Sequence, residues 1–102
     1  MKCIDSTDHI ELDSKHEDHM AQLAKALAHP TRIRILRLLS QSTTCLNTDL
    51  VTELGLAQST VSEHIRILKK AGFITAVATP PKVCYNLNND IVEQFRLSLD
   101  YL

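Results

Sequence analysis

The chain has few residues that break or turn a backbone: only two glycines and three prolines among 102 residues. A β-rich fold needs such residues at each of its many hairpins, so a mainly β architecture is excluded. Long hydrophobic runs are also missing. Within Ile33–Leu39, Arg34 and Arg37 limit every apolar stretch to two residues, whereas a membrane span needs about 20 mostly apolar residues. No membrane partner is expected. Residues 1–15 are polar and acidic without an apolar segment, so no secretory signal is read there. Cysteine is scarce and odd in number, at Cys3, Cys45 and Cys84. Such thiols without an export signal do not make a disulfide framework and point to a cytoplasmic setting. There is no glycine-rich phosphate loop, nucleophile elbow or pair of carboxylates with a plausible cleft, so no enzyme is expected.

Hydrophobic residues make up 44% and charged residues 23%, which fits one globular domain with one core. The net charge of −1 conceals an asymmetry. Residues 1–20 carry two lysines against six acids, net −4, whereas residues 25–82 carry eight basic side chains against three acids, net +5. A basic body suits a polyanionic partner, although a solvated surface has the same signature. Residues 1–13 lack any helical period and read as a flexible acidic arm; residues 14–102 read as the domain.

Hydrophobic periodicity predicts five helices. The first runs from about Ser14 to Ala28, with Met20, Leu23, Ala24 and Leu27 as its stripe and Ser14–Glu17 as a capping box. The second follows Pro30, with Ile33, Leu36 and Leu39 facing inward. A short third helix carries Leu50, Val51 and Leu54 and stops at Gly55. The fourth spans about Gln58 to Ala71, with Val61, Ile65 and Leu68 as its stripe and Gly72 at its end. Phe73–Ala78 and Val83–Leu87 then read as strands around a Pro80–Pro81 turn, with Val83, Tyr85 and Leu87 on one face. Asn88 or Asn89 starts a last helix to Leu102.

Two helices joined by a glycine turn and followed by a hairpin make a helix-turn-helix with a wing. The second of these helices opens with Gln58, Ser59, Thr60 and Ser62 around Val61. Short hydroxyl and amide side chains can bond base edges and phosphates in a major groove, and the positive end of the helix dipole favours phosphate. Arg66, Lys69 and Lys70 follow within reach of a DNA backbone. His16 and His19 lie i, i+3 with acids between them. The i, i+4 spacing that aims two imidazoles at one zinc is missing, and a solvated acidic helix start is expected there.

Ala26-Leu27-Ala28-His29-Pro30-Thr31-Arg32-Ile33-Arg34-Ile35-Leu36 and Leu54-Gly55-Leu56-Ala57-Gln58-Ser59-Thr60-Val61-Ser62-Glu63-His64-Ile65, followed by Leu68 and Ala71-Gly72-Phe73-Ile74, resemble two blocks of the ArsR/SmtB winged-helix repressors. The resemblance covers roughly residues 24–87. It implies a mainly α fold with a small β-hairpin wing, dimerising through its first and last helices. It also implies a homodimeric repressor that leaves its double-stranded DNA operator when an inducer binds. By that resemblance Gln58, Ser59, Thr60, Ser62 and His64 lie on the DNA-reading helix, with Arg66, Lys69 and the wing residue Lys82 beside them. Met20, Leu23, Leu27, Ile91, Phe95, Leu99 and Leu102 are the expected dimer interface. Ala57 stands where the family usually has a capping serine, Glu63 puts an acid beside the reading face, and Pro80-Pro81-Lys82 replaces a glycine-containing basic wing tip.

The family's Cys-x-Cys site falls on Leu46 and Thr48 and is absent. Its last-helix site keeps Asp90 and Asp100 but has Tyr101 at the histidine position nearest the C-terminus. In a winged helix the segment before the third helix pairs with the second wing strand. That pairing sets Cys45 beside Cys84, both turned away from the core, close enough to hold a thiophilic metal or metalloid ion with Cys3, or to form a disulfide. The "PKVCY" wing resembles a subgroup for which arsenic(III) is the natural ion. Ordinary packed thiols are the alternative. Beside the inducible repressor stand a constitutive winged-helix regulator without metal sensing and a winged helix used for protein interaction.

Overall fold

The computed structural model describes residues 10–41 and 45–102. Cys3 and most of the expected arm lie outside that range. Helices α1 (Ser14–Ala26), α2 (Pro30–Gln41), α3 (Asn47–Leu54), α4 (Gln58–Ala71) and α5 (Asn89–Ser98) surround a small sheet of β1 (Cys45–Leu46), β2 (Ile74–Thr79) and β3 (Lys82–Leu87), and a 3-10 turn, Leu99–Tyr101, follows α5. The sheet is antiparallel in the order β1-β3-β2. This is the winged helix-turn-helix anticipated from the sequence. No helix among the described residues is long and apolar enough to cross a membrane.

The cap of α1 differs in one position from the expectation. Asp13, not Ser14, is the N-cap: its carboxylate accepts the His16 N–H at 3.2 Å. The Glu17 carboxylate does not return to the helix start; it accepts the Tyr101 hydroxyl at 2.6 Å. That hydroxyl also accepts the Asp13 N–H at 3.2 Å, and the Tyr101 ring lies 4.8 Å from that of His16. The start of α1 is thereby tied to the end of the chain.

The core consists of Leu23 and Ala26 from α1, Ile35 and Leu39 from α2, Leu50 and Leu54 from α3, Val61, Ile65 and Leu68 from α4, and Phe73 and Ile74 beyond it. The stripes on α3 and α4 follow their sequence pattern. The buried face of α2 is rotated: Ile35 is fully buried while Ile33 is 49% exposed. The physical reason is Arg32, which lies on the same face as Ile35 and Leu39 at helical spacing. Its Nη1 donates to the Lys25 and Ala26 carbonyls, at 3.4 and 3.2 Å, and so satisfies the C-terminal end of α1. Ile33 is thereby turned outward into a shallow apolar groove of about 290 Å³ with Leu36, Phe73 and Phe95. On α1, Ala26 rather than Ala24 is buried.

Gly72 closes α4 at φ 95°, and the Phe73 N–H returns to the Leu68 carbonyl at 3.0 Å, a left-handed helix stop. A β-carbon there would lie 3.3 Å from Ile91 Cγ1 on α5. Phe73 continues the same joint by meeting Phe95 edge-on, with 6.3 Å between ring centroids. Gly72→Ala combines a strained φ with a crowded methyl group. It should lower the unfolding free energy by about 1–3 kcal/mol in urea titrations; an unchanged midpoint would refute this account of the joint.

Candidate nucleic-acid interface

Burial of Val61, Ile65 and Leu68 turns the opposite side of α4 outward. Gln58, Ser59, Thr60, Ser62, Arg66 and Lys69 are all exposed, as is Lys82 on the first position of β3. Ala57 precedes the helix in an extended conformation and supplies no side-chain cap. The N–H groups ahead of Val61 therefore have no acceptor within the helix. Together with the helix dipole they can receive a phosphate oxygen beside the Gln58–Ser62 side chains.

His64 is the exception among the expected DNA contacts. It is half-buried and its ring stacks on His29, 4.5 Å between centroids and tilted by 48°. His29 is committed in turn: its Nδ1 accepts the Thr31 N–H at 3.1 Å and caps α2. His64 Nδ1 is buried without a hydrogen-bond partner among the described residues. Burial, then the neighbouring His29 and Arg32, push the His64 pKa below its usual value, against a smaller opposing pull from Glu63. His64 thus holds α4 against the α1–α2 junction.

Glu63 does not face DNA alone. It forms two hydrogen bonds with Arg66, at 2.9 and 2.6 Å, and both side chains are more than half exposed. The guanidinium holds the Glu63 carboxyl below its ordinary pKa. An exposed i, i+3 pair of this kind adds little stability. Its consequence is chemical: it neutralises an acid that otherwise repels phosphate, and occupies the Arg66 fork while doing so.

The wing is a hairpin from Ile74↔Leu87 to Thr79↔Lys82, closed by Pro80 and Pro81. The alternation expects Val83 on the core face with Tyr85 and Leu87, but it is 39% exposed because the tip extends beyond the core. The thiol expectation meets a difference in register. Cys45 is paired with Tyr85 and Leu46 with Cys84. In that register Cys45 and Cys84 stand one position apart on neighbouring strands rather than directly opposite each other. Cys84 is a half-buried free thiol. Among the described residues, no group of three histidine, cysteine, aspartate or glutamate side chains could hold a metal ion.

The expected dimer contacts divide by burial. Leu23 is 1% exposed and belongs to the chain's own core, so it is not available to a partner. Met20, Leu27, Ile91 and Phe95 are half-buried, while Leu99 and Leu102 are 47% and 89% exposed. Sequence reasoning missed the Arg32 cap, the stacking of His29 on His64 and the outward turn of Ile33. The available signals were a cation, Arg32, on the helical face of Ile35 and Leu39, and a histidine, His29, immediately before Pro30 where it can cap or pack at the helix junction.

Folding favours the neutral form of His64, so the unfolded chain takes up the proton more readily than the native one. Stability should therefore fall as pH drops through the ordinary imidazole value of 6.5 and be recovered above it. Urea midpoints measured between about pH 5 and pH 8 should show this slope, and His64→Gln should reduce it. An unaltered slope in the variant would show that His64 is not its source.

Residues 29–76 match the family described as "Bacterial regulatory protein, arsR family". The chain is 40% identical over 70 residues to the HTH-type transcriptional repressor SmtB of Mycobacterium tuberculosis, covering 69% of this chain and 51% of that one. It is 34% identical over 82 residues to an HTH-type transcriptional regulator of Methanocaldococcus jannaschii, covering 80% and 92%. The chain thus spans about half the length of the mycobacterial relative and nearly all of the archaeal one. Among solved structures, reduced HlyU from Vibrio cholerae superposes with a TM-score of 0.71 at 26% identity, covering 82% of this chain and 88% of that one. The homodimeric winged helix-turn-helix DNA-binding domain of a possible ArsR-family regulator from Mycobacterium bovis gives 0.73 at 26% identity, covering 91% and 86%.

Proposed function

The chain belongs to the ArsR family of bacterial regulatory proteins, and from that premise we propose that it is a homodimeric transcriptional repressor whose two α4 helices read a near-palindromic operator. The observation that carries this reading is the exposed row Gln58, Ser59, Thr60 and Ser62 at an uncapped helix start, with Lys69 on the same helix and Lys82 on the wing. Direct readout falls to Gln58 and the hydroxyl groups, which match base edges in size and hydrogen-bonding capacity. Lys69, Lys82 and the open N–H groups fix the backbone register without reading sequence. Repression is the finer part of the reading, and the repressor among the relatives supports it.

Dimerisation through the ends of the chain is supported by its exposed apolar residues. Leu97, Leu99 and Leu102 are 58%, 47% and 89% exposed on or after α5, and Ile10 and Leu12 are 58% and 77% exposed just before α1. The Tyr101 bonds to Asp13 and Glu17 bring these two segments side by side. Burying such residues against a second copy stabilises each by roughly 1.5–3 kcal/mol. Thiol sensing is not included in this proposal, because the offset ladder positions of Cys45 and Cys84 give no support to an ion shared between them.

Fluorescence anisotropy with duplex from the upstream region of the gene tests the DNA reading. Lys69→Ala should weaken binding uniformly across sequences and reduce the salt slope by about one. Gln58→Ala should cost roughly 1–3 kcal/mol of discrimination between this duplex and a scrambled one. Binding unchanged in both variants overturns the assignment. For the dimer, Leu99→Asp combined with Leu102→Asp should shift sedimentation equilibrium to the monomer; a dimer that persists contradicts this interface.

A further inference from the structure

We propose that the groove between α1 and α4 is a binding site for a small organic anion, a carboxylate on an aromatic or aliphatic body. The groove has a volume of about 650 Å³ and is open on one side. That is within the roughly 300–1,000 Å³ of small-molecule sites. Its rim carries Lys25 from α1, Arg32 from α2, and Arg66 and Lys70 from α4, and no carboxylate lines it. Its floor is apolar, formed by Ala26, Ile67 and Ala71.

These groups have unequal freedom to bind a ligand. Arg66 is engaged by Glu63, and Nη1 of Arg32 is engaged by the α1 carbonyls. Nε of Arg32 is buried without a hydrogen-bond partner among the described residues. Lys25 and Lys70 have no carboxylate partner among the described residues. The groove therefore offers two free ammonium groups above an apolar floor. A carboxylate bonded to these ammonium groups neutralises charges that otherwise repel each other, while its body removes the floor from water. A DNA phosphate could meet the same cations, but it has no apolar body to cover Ile67 and Ala71, and it would meet the groove as a convex strand. The geometry thus favours a small amphipathic anion. A ligand here touches α1 and the C-terminal half of α4 at once, so its binding couples to the placement of α4.

The test uses the full chain without DNA, so its outcome is independent of the operator reading. Isotope-labelled protein is titrated with 2-naphthoate and, separately, with the neutral 2-naphthalenemethanol, and amide shifts are followed by NMR. Saturable shifts centred on Ala26, Ile67 and Ala71 are expected for naphthoate, with the neutral compound about tenfold weaker. Lys25→Gln combined with Lys70→Gln, both at exposed positions, should weaken naphthoate about tenfold. Ile67→Trp, which fills the floor, should weaken naphthoate and the neutral compound alike. Equal affinity for the two compounds, shifts centred on the apolar groove of Ile33 and Phe95, or an unaltered affinity in the double lysine variant overturns the proposal. So does the absence of naphthoate shifts, and if the double variant then weakens duplex binding and flattens its salt dependence, the groove is a DNA contact.

Discussion

Val61, Ile65 and Leu68 must leave water, and they do so in a core shared with Leu23, Ile35 and Leu50 from three other helices. Meeting that demand fixes the rotation of α4 about its own axis. Once the rotation is fixed, Gln58, Ser59, Ser62, Arg66 and Lys69 have no route inward, and the polar side of the helix becomes a rigid exposed ridge. The reading surface is thus a consequence of core packing. Each of the three buried side chains contributes roughly 1.5–3 kcal/mol, so a rolled α4 would lose more than any surface contact could return.

The junction between α1 and α2 adds a second restraint on α4. Arg32 satisfies the end of α1, His29 caps the start of α2, and the His29 ring stacks on His64 of α4. Three helices meet there through polar groups rather than apolar ones. The low pKa of His64 follows first from its burial at this junction and then from the neighbouring imidazole and guanidinium. On the other side of α4, Gly72, Ile91 and the edge-on contact of Phe73 with Phe95 connect the helix to α5. Any change at the ends of the chain, where a second copy is proposed to dock, can therefore reach α4 through packed side chains.

Much of this was legible in the chain itself. The stripe Val61, Ile65, Leu68 and the stops at Gly55 and Gly72 were readable because period and turn chemistry agree there. The face of α2 was not, because Ile33, Ile35, Leu36, Leu38 and Leu39 leave the pattern nearly degenerate, and the tie is broken by a tertiary bond from Arg32. Strand register escaped for a similar reason: a one-residue shift moves each side chain to the other face, and nothing local to Cys45 or Cys84 selects between the two. Leu23 and Leu99 look alike in sequence, yet one belongs to the core and the other, in the turn after α5, is 47% exposed, a distinction set by tertiary packing rather than by local pattern.

The account is tested most directly by the distance between the two α4 helices of the DNA-bound dimer. Spin labels placed at Glu53, which is exposed on α3 beside α4 and outside the proposed reading row, report that separation by pulsed dipolar spectroscopy once the fixed offset between α3 and α4 is subtracted. Two helices in successive major grooves on one face of B-form DNA should give a distribution centred near 34–36 Å, about one helical turn. A separation far from one turn or its multiples, or no dipolar coupling on saturating duplex, contradicts the claim that α4 is the reading element of a symmetric pair.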